Sequence, residues 1–229
     1  MLLNFWNNIQ DGVPMGPLDI IIMMVSYAVV LFLCLPVHEL AHGLVAHWCG
    51  DDTAKWYGRL SLNPFKHLDM WGTVLILTAG FGYAKPVPVN SRNLRHYRRD
   101  MILVALAGPL SNFLMAVLAM FVLRLCVVLG LSGMALSIVG VILSTTVTVN
   151  ISLMVFNLLP IPPLDGSRLW STMLPGRWSY ALEQYSQYIT IGVLLLVFSG
   201  VLDKPLMYMQ MGAYYLLDLI TRWPFELFA

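Results

Sequence analysis

The chain has 229 residues, 59% of them hydrophobic and 11% charged, with a mean hydropathy of +0.75 and a formal net charge of +1. Soluble domains carry about a quarter charged residues, so this composition excludes an ordinary soluble domain. A nucleic-acid reader needs Lys and Arg clustered on one face, which a net charge of +1 does not suggest. The expected class is an all-α polytopic membrane protein, a single membrane-embedded domain over 1–229.

In chain order, the first seventeen residues hold no Lys or Arg, so no cleavable signal is expected. Residues 18–50 read as one long helix, apolar up to Val37 and ending at Gly50-Asp51-Asp52. It contains VHELAHG at 37–43, with Pro36 poised to kink it. Residues 68–84, LDMWGTVLILTAGFGYA, are apolar but short, with three glycines. Residues 101–130 form a span with one charge, Arg124; Gly130 through Gly133 mark a turn, and 134–159 form the next span. After a polar connection, 184–202 and 206–221 make an accessory closing pair split by Asp203-Lys204-Pro205. About 20 apolar residues cross a bilayer, which gives about five or six transmembrane helices, with a core over about 18–170. Cys34, Cys49 and Cys126 are too scattered for a disulfide framework.

Lys85, Arg92, Arg95, Arg98 and Arg99 form the strongest basic cluster. By the positive-inside rule they lie in the cytoplasm and meet anionic headgroups. Counting spans from there puts 51–67 and 85–99 on one side, so 68–84 is predicted to re-enter; the alternative is a plain short span with the N-terminus inside. Backbone that re-enters must be buried in protein, which makes this segment a wall of a nearby site.

HELAH matches HExxH. Residues i and i+4 share a helix face, so His38 and His42 can hold one ion, and Glu39 can touch a water on it. A glutamate in lipid costs a few kcal/mol, which a structural role would not repay. Catalytic zinc takes three protein ligands and leaves one place open. His67, Asp69 and Cys34 are possible third ligands. Asp165 in NLLPIPPLDG (157–166) is the strongest candidate, expected in irregular backbone because Pro160, Pro162 and Pro163 bar helix there. A re-entrant 68–84 would put His42 and Asp165 at one depth.

HELAHG in an apolar helix, AGPLSN (107–112) in a later one, and NLLPIPPLDG together resemble the site-2 protease family of intramembrane zinc metallopeptidases. GRLSLNPFKHLD (58–69) and GFGYAKPVPVN (80–90) suggest the compact bacterial type, without a PDZ-like domain between the spans. The resemblance implies one Zn2+ held by His38, His42 and Asp165, with Glu39 as catalytic base and Asn157 assisting the transition state. It also implies a single-span membrane-protein substrate, a bacterial inner-membrane location, and an active site toward the cytoplasm. Asn112 and Asn150 are assigned to packing between helices.

A peptide bond in a transmembrane helix is shielded, so the substrate must become extended. In KPVPV (85–89), Pro86 and Pro88 blank one edge while Val87 and Val89 keep donors on the other, which suits strand addition to substrate; the alternative is a stiff proline-rich connector. The rival class is a non-proteolytic membrane zinc protein, a transporter or an inactive scaffold.

Overall fold

The computed structural model describes residues 16–17, 21, 24–25, 28–69 and 85–226. Residues 70–84, and with them the predicted re-entrant segment, lie outside the described residues. The helices are α1 (Leu35–Trp48), α2 (Thr53–Trp56), α3 (Tyr97–Val128), α4 (Gly133–Asn157), α5 (Asp165–Met173), α6 (Gly176–Gln184), α7 (Ser186–Phe198) and α8 (Asp203–Glu226). No strand occurs among the described residues, which agrees with the all-α expectation.

α3 is the central element, packed against α1, α4, α5 and α8. At 1.5 Å per residue, α3 is about 48 Å long and α4 about 38 Å, against a hydrocarbon core of about 30 Å. Among the described residues these two helices are long and apolar enough to cross a membrane. The apolar side chains are arranged as lipid requires. Ala116 and Ala119 of α3 pack inward against Val147 and Ile151 of α4 and Leu217 of α8. Leu103, Leu110, Leu114 and Leu118 stand exposed on the outside of α3. Small residues inside let helix backbones approach closely, while the large ones meet lipid.

Two charges that stood alone in the sequence find each other. Arg124 of α3 forms an ion pair with Asp218 of α8, and one turn earlier along α8 the Tyr214 hydroxyl donates to Thr148 of α4 at 2.9 Å. Pairing lowers the cost of charge in a membrane.

Over the described residues 28–48 the predicted first helix is helical throughout, with a π-helical turn at Val30–Cys34 leading into α1. Pro36 cannot donate to the carbonyl of Phe32, and a wider turn accommodates the missing bond. The connection 160–183 contains two short helices, α5 and α6. Asp203-Lys204-Pro205 opens α8 rather than separating two spans, because proline is tolerated in a first turn, where its N–H would have no partner.

Candidate metal centre

The helical spacing of HExxH does what it predicts. His38 and His42 are both buried, one turn apart on α1, and their Nε2 atoms lie 3.1 Å from each other. Asp165 Oδ2 closes the triangle, 3.1 Å from His42 Nε2 and 3.2 Å from His38 Nε2. Tetrahedral zinc with bonds of about 2.0–2.1 Å spaces its ligands by about 3.3 Å. A triangle of this size, made of two imidazole nitrogens and a carboxylate oxygen, fits that ion. Among the described residues these three could hold a metal ion.

α3 shapes the site from the other side. A Cβ on Gly108 would stand 2.2 Å from His42 Nε2 and 2.7 Å from His38 Nε2. Only glycine therefore lets α3 lie against both imidazoles. His42 Nδ1–H donates to the carbonyl of Val104 at 2.7 Å, in the turn that Pro109 loosens by lacking an N–H for Ala105.

Asp165 arrives differently. It is the first residue of α5, not part of irregular backbone as expected, and a helix N-terminus favours a carboxylate. The prolines end α4 and shape the turn before α5, but they do not reach α5 itself. A Cβ on Gly166 would meet the carbonyl oxygens of Leu159 at 2.3 Å and Leu158 at 2.4 Å, so glycine is what brings α5 so close to the end of α4. Thr190 of α7 donates its hydroxyl to the Pro162 carbonyl at 2.7 Å.

The family model for peptidase family M50 matches residues 26–134 and 127–199. That match takes in α1, α3, α4 and α5, and with them every residue of the triangle. The chain belongs to peptidase family M50. It is 43% identical over 176 residues to the Bacillus subtilis protein named "Putative zinc metalloprotease YwhC", covering 76% of this chain and 80% of the relative. It is 27% identical over 196 residues to "Putative zinc metalloprotease Rip2" of Mycolicibacterium smegmatis, covering 83% and 72%. No solved structure matches. The site-2 protease resemblance read from the motifs thus holds, and the chain is a zinc metallopeptidase.

Glu39 accepts a hydrogen bond from the Val87 N–H, 2.8 Å from Oε2. Val87 is buried, and its N–H, expected as a donor to substrate, is taken by Glu39 instead. Val89 lines a cavity of about 220 Å3 shared with Tyr97, Arg168 and Thr172. Residues 85–90 have no regular secondary structure and are held from outside. Arg59 donates to the carbonyls of Lys85 and Pro86, each at 3.2 Å. Asp51, fully buried, accepts from the Asn90 N–H at 2.7 Å and from Asn93 Nδ2 at 2.9 Å. Burial works against the Asp51 charge, but the hydrogen bonds from Thr53, Asn93 and Asn90 outweigh it and hold its carboxyl below the ordinary value.

Asn157 is the last residue of α4, on the approach to the turn that leads to Asp165. Two of the other candidate ligands, His67 and Cys34, are engaged elsewhere. His67 Nε2 donates to the Ser61 carbonyl at 2.7 Å, and Cys34 Sγ accepts from Asn150 Nδ2 at 3.1 Å. Sequence reasoning gave Gly108, Gly166 and Asp51 no role. Gly108 and Gly166 do lie inside the quoted motifs AGPLSN and NLLPIPPLDG, which was the available signal.

Proposed function

We propose that this peptidase cuts peptide bonds within or near transmembrane segments of membrane proteins, with one zinc ion held by His38, His42 and Asp165. The observation that carries the reading is the depth of the site along α3. Its contacts to the imidazoles come from Val104, Gly108 and Asn112, seven to fifteen residues beyond Tyr97. That is about 10–22 Å along the helix axis, within the hydrocarbon thickness and nearer the basic end. By the positive-inside rule that end is cytoplasmic, in a bacterial inner membrane. The carbonyl of His67 accepts from the Lys85 N–H at 2.7 Å, so the flanks of 68–84 meet. Flanks that meet support a segment that re-enters.

When bound, zinc supplies Lewis acidity, acidifying water to a pKa of about 7 and polarising a carbonyl. Glu39 takes the proton of the attacking water and passes it to the leaving amine. The Val87 N–H keeps the carboxylate aimed. Asn157 donates to the developing oxyanion, and the 85–89 segment receives the extended substrate through Val89, the Val87 N–H being taken by Glu39.

The test is cleavage of single-span substrates in bilayers by wild type and by Glu39→Gln. The variant should retain zinc, because Glu39 is not a ligand, and lose cleavage by about 100-fold or more. Equal cleavage by the two proteins would overturn the reading. Zinc flux across vesicles with no cleavage would favour the non-proteolytic alternative.

A further inference from the structure

Both imidazoles must turn a bare Nε2 toward a metal, so each needs its proton on Nδ1. For His42 the question is settled by the Val104 carbonyl, 2.7 Å from Nδ1. A carbonyl only accepts, so Nδ1 carries the proton and Nε2 keeps its lone pair. The equivalent atom of His38 faces a side chain instead. Asn112, fully buried, sits with Nδ2 3.1 Å from His38 Nδ1, while its Oδ1 is buried without a partner.

With the amide nitrogen toward the ring, His38 would be bare at Nδ1 and would carry its proton on Nε2. That is the wrong tautomer for a ligand. A half-turn of the amide leaves shape and distance unchanged and exchanges donor for acceptor. Oδ1 would then accept from Nδ1–H and free Nε2. Resting on the zinc reading above, we propose that Asn112 is a positioning residue for the metal site. Its Oδ1 fixes the ligating tautomer and the ring plane of His38, as the Val104 carbonyl does for His42. Such outer partners of histidine ligands are a general device for orienting them. The same helix face thus serves the site twice, with Gly108 giving space and Asn112, one turn on, giving orientation. Asn150, the other fully buried asparagine in the spans, binds Cys34 Sγ and the Thr146 carbonyl instead. It serves as the control for loss of a buried amide.

The test uses the full chain in bilayer discs, with zinc affinity measured by chelator competition and ligation by the cobalt(II) spectrum. Asn112→Leu should weaken zinc by about 10–100-fold, whereas Asn150→Leu should leave the affinity unchanged. Asn112→Asp, which can accept but not donate when ionised, should stay within about threefold of wild type, the precision expected for a retained partner, and keep the cobalt spectrum. A wild-type affinity in Asn112→Leu, or an Asp variant as weak as Leu, would overturn the assignment. If the Leu variant does not fold, the Asp variant decides alone: wild-type affinity supports the acceptor role, and loss of affinity refutes it. Wild-type protein that binds no zinc would overturn the metal reading itself, and Asn112 with it.

Discussion

His38 and His42 reach the metal triangle from one unbroken turn of α1, whereas Asp165 reaches it from the first residue of a short helix set against the end of α4. The histidine side needs only helix periodicity and a neighbour small enough to approach. The aspartate side needs two backbones in close contact at Gly166 and an anchor from α7 through Thr190. A pair on a helix is arranged as soon as the helix forms. A ligand at a turn is arranged only when several separate elements have packed.

That difference can be broken from either side. The largest effect should come from Gly108→Ala, whose methyl would lie 2.2 Å from His42 Nε2. Zinc affinity should fall by at least about 100-fold, with thermal stability changing far less because α3 itself tolerates alanine. Gly166→Ala should do the reverse. Its methyl meets two backbone carbonyls, so the protein should lose about 1–3 kcal/mol in denaturant unfolding. Zinc should weaken by about 10–100-fold, since the histidine pair stays in place. The smallest effect belongs to Thr190→Val, which keeps the shape and removes the hydroxyl bond to Pro162. It should cost about 1 kcal/mol and loosen zinc by no more than the same energy, about fivefold. Equal zinc loss in all three variants, by chelator competition, would erase the distinction between the two sides.

The same contrast explains what could be read in the sequence. His38, Glu39 and His42 were legible because their relation lies within five residues of one helix. Asp165 was legible as an acidic residue near the end of a span, but its backbone was misjudged: the prolines hid a helix that starts immediately after them. Asn112 was read as a packing residue, since nothing local to AGPLSN says that His38, 74 positions away, faces it. The donors of KPVPV were counted correctly along the chain. The one on Val87 goes to Glu39, a partner that only the tertiary fold supplies. Arg124 and Asp218 looked like unwelcome charges in two spans until α3 and α8 met.

The segment 85–90 has a further mechanical consequence. It is a beam resting on four supports: the His67 carbonyl at the Lys85 N–H, Arg59 at the Lys85 and Pro86 carbonyls, Glu39 at Val87, and Asp51 at Asn90. With no ladder or helical turn of its own, its stiffness is borrowed from those partners. Taking away an end support turns the beam into a lever whose pivot is the carboxylate of Glu39. Arg59 and Asp51, which bind neither metal nor water in the proposed reaction, are therefore part of how steadily the base is held.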